Sequence, residues 1–304
     1  MEFSEDTSPR PQVPVFPPMA ALLLLVMTAL VGSLLGSGLA YAWCMAQGYD
    51  LPGLLAGFGA DSPRPERDAI RIVNMFSQVC SFLLPAVLTG ILLYRRHWMV
   101  YFKLHNMPGW LIAAAGIGFV LVSFPFVQLT YWLNHALPLP DRFMEMEKAA
   151  GQMIKGILVM DNPAELWLNL IVIGLIPALG EELLFRGVLQ QQLRKAFANP
   201  VLAIWATAII FSAIHMQFAG FIPRMVLGAT LGYLFYWTNS LWMPVLAHFL
   251  TNALQVLAQY ASGGKLAQAE ITKPEMINWL AAALSLALML ALGHYLWRSR
   301  QVKV

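Results

Sequence analysis

Three motifs with polar side chains stand in stretches otherwise fit for a lipid bilayer. The segment IGLIPALGEELLFRGVLQQQLRK carries Glu181 and Glu182 side by side, with Arg186 one turn further on. FSAIHMQF places His215 four residues after Phe211, and PVLAHFLTNALQ places His248 four residues before Asn252. A separation of four sets two side chains on one helix face, one turn apart. A carboxylate and an imidazole converging on one water can take its proton, either directly or through a metal ion. Glu181, His215 and His248 make a His₂Glu set of the kind that holds Zn2+ and leaves a position for that water. His248 with the Asn252 amide could donate hydrogen bonds to a developing oxyanion. Together these are the parts for hydrolysing an amide bond where water is scarce.

Each pair has a plainer reading. Glu182 and Arg186 could be a self-neutralising i,i+4 pair, a lone membrane His is often a helix–helix hydrogen-bonding residue, and Asn252 could be packing glue. The set as a whole resists that account. One Arg neutralises one Glu, and an ionised side chain at the bilayer centre costs about 2.5 to 3.5 kcal/mol on insertion scales. The second carboxylate still needs a purpose, and that makes the group a candidate site.

The elements that must position these residues follow from composition. The chain has 304 residues, 59% hydrophobic and 12% charged, with a mean hydropathy of +0.62. A water-soluble domain carries about twice that charge. The net charge of +3 is spread over loops, with no basic run that would suit nucleic acid. Apolar runs near the bilayer-spanning length recur along the chain. The expected fold is all-α: a polytopic helical membrane protein with about eight transmembrane helices. The spans are expected over residues 19–47, 72–94, 110–133, 165–193, 200–216, 221–237, 242–260 and 276–297. Residues 1–18 read as a disordered cytoplasmic tail. Residues 19–163 hold the first helices and an interfacial amphipathic helix near Arg142–Val159. Residues 164–260 form the catalytic core, and 261–304 the last helix with a basic tail. Ala40-Tyr41-Ala42 faintly resembles a signal-peptidase site, but the acidic leader and long apolar stretch favour a retained first span. Cys44 and Cys80 fall in apolar segments and read as small embedded side chains.

Basic clusters without acids follow the second span (YRRHWMVYFK), the fourth (LRK) and the last (WRSRQVKV). With eight spans all three fall on one side, which the positive-inside rule makes cytoplasmic, along with both termini. Depth can be compared too. Glu181 lies fourteen residues before Lys195 and His215 fifteen after Pro200, so both sit about 21 to 23 Å from their shared loop at 1.5 Å per residue. His248 is only seven residues past Leu241, about 10 Å deep by the same rise. The TNSL loop must therefore dip inward for His248 to join them.

EELLFRG, FSAIH and HFLTN resemble the motifs EExxxR, FxxxH and HxxxN of the CAAX-protease and bacteriocin-processing (Abi, Rce1-like) family of intramembrane proteases. The resemblance covers roughly residues 164–260, with each motif on its own span. It implies an eight-helix endopeptidase in which Glu181 and His215 activate water while His248 and Asn252 stabilise the oxyanion. It also implies that Arg186 positions the glutamates, with Glu182 a second motif carboxylate, and it leaves a metal requirement open. The expected substrate is a peptide or membrane protein, and the expected location a bacterial inner membrane. Other intramembrane chemistries lack their residues: no His is followed by Glu as HExxH requires, LLGSG has Leu35 where GxSG needs Gly, and GFGAD is not GxGD. A non-catalytic scaffold or bacteriocin-immunity protein remains an alternative. A proton-coupled transporter is a weaker one, since no inverted repeat is visible.

Overall fold

The computed structural model describes residues 16–138, 140–264 and 278–301. The first fifteen residues of the expected tail, and Met276 at the expected start of the last span, lie outside the described residues. Ten helices suffice for the architecture: α1 (Pro18–Ala46), α2 (Leu51–Gly57), α3 (Arg64–Tyr101), α4 (Trp110–His135), α5 (Asp141–Ile157), α6 (Pro163–Phe197), α7 (Pro200–Ala213), α8 (Phe221–Thr238), α9 (Trp242–Ala261) and α10 (Trp279–Gln301). No strand occurs among the described residues.

Every apolar segment read from the sequence is a helix, and the amphipathic stretch forms α5. Five helices, α1, α3, α4, α6 and α10, are long and apolar enough to cross a membrane. α7 is apolar but shorter, whereas α8 and α9 carry Arg224, His248 and Asn252. α3 begins eight residues before the expected span, because Arg67 and Arg71 are drawn into the protein rather than left in a loop. α7 stops at Ala213, so His215 lies in the turn beyond it.

α6 is the central helix. Of its most apolar eighteen-residue window 61% is buried, against 17 to 33% for the other four. Such burial is what allows it to carry charge. The helix is not regular: π-helical turns at Leu170–Leu175 and Leu183–Leu189 flank the glutamate pair, a distortion common at functional sites. α3 has its own π-helical turn, Val79–Leu83. There α1 packs so closely that a Cβ on Gly32 would lie 2.0 Å from the Cys80 carbonyl oxygen.

The two ends of the bundle differ. At one, Arg67 and Arg71 of α3 share Glu165 of α6, with N–O distances of 3.0 and 2.7 Å. Arg71 also donates to Asn169 and to the Ile157 carbonyl that ends α5. At the other, Lys103, Arg194, Lys195 and Arg300 line one cavity. The basic ends following α3 and α6 and closing α10 thus share a side, as the charge pattern implied.

Candidate active site

Glu181 and Glu182 sit on the stretch of α6 between its two π-helical turns, 3% and 0% exposed. Their surroundings split them. Glu182 Oε1 accepts from Arg186 Nη1 at 2.6 Å and from His248 Nδ1 at 2.8 Å. Arg186, fully buried, reaches on with Nη2 to the Gly228 carbonyl of α8 at 2.8 Å. Close approach makes this possible: a Cβ on Gly228 would stand 3.1 Å from the Phe211 ring. The i,i+4 ion pair expected of Glu182 and Arg186 is therefore present, with an imidazole added. Glu181 has no such partner. Its nearest basic group is His248 Nε2, at 3.9 Å from Oε2.

His248 is held by this arrangement. A carboxylate already paired with a guanidinium accepts, so Nδ1 carries the proton and donates. Nε2 is thereby turned toward Glu181. The depth mismatch foreseen for His248 is resolved by the inward-dipping loop: Ser240 and Leu241 are completely buried. Leu241 donates to the Lys103 carbonyl and Trp242 Nε1 to the Leu104 carbonyl.

His215 shares with Glu181 a groove of about 710 Å³ between α1, α3, α6 and the end of α7. Apart from these two residues it is walled largely by apolar side chains, including Leu25, Phe82, Phe185 and Ile210. Because α7 ends before His215, the Phe211 carbonyl loses its helical partner, and His215 Nδ1 supplies the bond at 2.7 Å. Helix ends leave such orphan carbonyls as a rule. A ring that donates from Nδ1 keeps its lone pair on Nε2.

Asn252 has a different occupation. Pro177 on α6 lacks the N–H that would pair with the carbonyl four residues back. That carbonyl belongs to Ile173, and Asn252 Nδ2 donates to it from α9 at 3.0 Å. Asn252 thus repairs the Pro177 irregularity, and its recorded bond is to backbone rather than to another site side chain.

Residues that the motif reading passed over hold the turn that carries His215. Glu147 of α5 accepts from the Phe218 and Ala219 amides at 2.8 and 3.3 Å. Asn134 of α4 donates to the Phe218 carbonyl and accepts from the Ile222 amide, at 2.7 and 2.8 Å. Arg224 of α8 bonds Gln217 within the same turn. Only the amphipathic pattern around Glu147 hinted at any of this, and it pointed to a membrane surface.

Among the described residues no three His, Cys, Asp or Glu side chains are grouped so as to hold a metal ion. Of the suggested ligands, His248 has its Nδ1 on Glu182 and His215 its Nδ1 on Phe211, so either ring could meet a metal only through Nε2.

Fold and site together define a class: an all-α polytopic membrane protein with a buried carboxylate–imidazole centre beside an apolar groove. Over residues 163–254 the chain matches the family described as Rce1-like, type II CAAX prenyl endopeptidase. It is also 32% identical over 90 residues to the uncharacterized protein YpbD of Bacillus subtilis (strain 168), a stretch covering 28% of this chain and 43% of that protein. The chain thus spans less than half of that relative's length. No solved structure matches it.

Proposed function

We propose that the chain is an intramembrane endopeptidase that cleaves a membrane-attached peptide at Glu181. The observation that carries this reading is the division of labour between adjacent carboxylates. Glu182 is neutralised by Arg186, while Glu181 borders the groove with no ion pair at bonding distance. Glu181 takes a proton from a water that the His215 Nε2 lone pair helps to orient. The oxygen adds to the scissile carbonyl carbon, and the C–N bond then breaks as that proton passes to the leaving amine. The second amide hydrogen of Asn252 donates to the oxyanion, and His248, set by Glu182, joins it from Nε2 only when that nitrogen also carries a proton. The groove suits an acyl or prenyl chain beside the peptide, and the family's description makes a prenylated CAAX peptide the first substrate to try. The membrane is a bacterial inner membrane, crossed eight times with both termini in the cytoplasm. Water activation by Glu181 and His215 directly, without zinc, is the form of the reaction these distances favour.

The test is turnover by the full chain reconstituted in vesicles, with a farnesylated CAAX reporter and its unprenylated counterpart. Cleavage by the native chain but not by Glu181→Gln supports the reading. Cleavage by both at one rate removes Glu181 from the chemistry. If neither cleaves, and a co-purified membrane partner is retained equally by both, a scaffold is the better account. Metal content measured on the active preparation tests the direct mechanism, which requires no bound zinc.

A further inference from the structure

On the side of α6 facing away from the apolar groove, a second cavity of about 770 Å³ opens at the basic end of the bundle. Lys103, Arg194, Lys195, Arg300 and His105 line it, and among the described residues no Asp or Glu does. None of the four Lys and Arg side chains takes part in an ion pair among the described residues.

The rim is built rather than loose. Lys103 stands on left-handed backbone, φ 60°, a conformation a non-glycine residue keeps only when its surroundings enforce it. The enforcing bonds join its loop to the α8–α9 loop. Leu241 donates to the Lys103 carbonyl at 3.4 Å, Asn106 to the Asn239 carbonyl at 2.8 Å, and Ser240 to the Asn106 carbonyl. Burial and the Arg194 charge hold the Lys103 ammonium below its ordinary pKa. Two of the other cations rest on aromatic faces: Lys195 lies 5.0 Å from the Tyr101 ring centre, and the Arg300 guanidinium 3.8 Å from that of Tyr236. On the cavity wall Gln190, 4% exposed, gives its amide to the Gly232 carbonyl and leaves Oε1 without a partner.

Four cations brought together with no counter-charge among the described residues repel one another, and an anion offsets that cost. A single carboxylate needs only one of them. A phosphate ester, with several oxygens, can use cations arriving from two helices and a loop. Basic pockets between membrane helices take phospholipid headgroups in this way. We propose that this cavity binds the phosphate ester group of an anionic ligand, carried by a membrane phospholipid or by a soluble molecule. The assignment does not depend on the protease reading.

The experiment is thermal unfolding of the purified full chain in neutral detergent. It is titrated with phosphatidylglycerol, with phosphatidylcholine, and separately with inorganic phosphate. A saturable rise in Tm with phosphatidylglycerol but not with phosphatidylcholine marks the lipid source. A rise with inorganic phosphate in lipid-free detergent marks a soluble one. Arg194→Gln with Arg300→Gln removes two cations and should weaken either response, by about fivefold for each. Arg142→Gln, distant on α5, should leave it intact. Should the double variant fail to fold, Lys103→Gln carries the same test with a single fivefold step. The proposal is overturned if neither phosphate probe raises Tm, if phosphatidylcholine does so equally, or if the cavity variants respond like the native chain.

Discussion

Two buried sets of arginine and glutamate divide the work of this protein, and they are finished to different degrees. At one end Glu165 is shared by Arg67 and Arg71, with Asn169, Asp161 and loop carbonyls taking the remaining donors. No buried side-chain atom of that cluster lacks a partner. In mid-bundle Arg186, Glu182 and His248 form a shorter chain of bonds, and both Glu182 Oε2 and Arg186 Nε are left bare. Beside them Glu181 has no close counter-ion. A satisfied polar network fixes geometry, whereas an unfinished one is costly and calls for a reason. The first set clamps α3, α5 and α6 together, and the second ties up Glu182 while leaving Glu181 beside the groove.

The contrast can be broken most directly at the two glutamates. Glu181→Gln keeps shape and removes charge, so turnover should fall by about 10² to 10⁴, equivalent to about 2.7 to 5.5 kcal/mol. Unfolding in detergent should barely shift. Glu165→Gln should do the reverse. It removes the buried carboxylate that both guanidinium groups share and leaves them only the more exposed Asp161 and Asp68, a change worth up to about 3 to 5 kcal/mol of stability, while the molecules that remain folded keep their kcat. If denaturant unfolding showed Glu165→Gln as stable as the native chain, the clamp would be no clamp.

Asn252 sharpens the comparison because it stands on both sides of it. Asn252→Ala should lower kcat by about 10² to 10³ if the amide serves the oxyanion. It should also cost about 1 to 3 kcal/mol by stripping the Ile173 carbonyl of its donor. Pro177→Ala separates the two effects by returning a backbone N–H to that carbonyl. In this background the stability cost of Asn252→Ala should vanish and the kcat loss persist. Disappearance of both would reduce Asn252 to a helix repair.

The smallest effect is expected at Glu147, which acts on His215 only through the turn it binds. Glu147→Gln keeps an acceptor but loses the charge, at about 1.5 to 3 kcal/mol for hydrogen bonds to a charged group. Part of that falls on local order of the turn, read as faster amide exchange at Phe218 and Ala219. Unchanged exchange there would detach α5 from the site.

Much of this was legible along the chain. Apolar run lengths located the five helices long and apolar enough to cross a membrane, because a helix in lipid must satisfy its own backbone and bury nothing charged without cause. Four-residue spacing located the ion pair of Glu182 with Arg186, since one helical turn is local geometry. The match of Glu181 with His215 followed from counting residues out of a shared loop. What spacing could not supply was the choice among partners on different helices. His248 could have paired with either glutamate, and the buried Ser240–Leu241 loop decides how deep it sits. Asn252 shares a helix face with His248, yet its bond goes to a carbonyl that Pro177, seventy-five residues earlier, left open. The turn bearing His215 is held by Glu147 and Asn134, whose carboxylate and amide carry no signal for it in one dimension. Local periodicity is a property of the chain, but the satisfaction of a buried polar atom depends on whatever packs against it. Only the tertiary structure decides that.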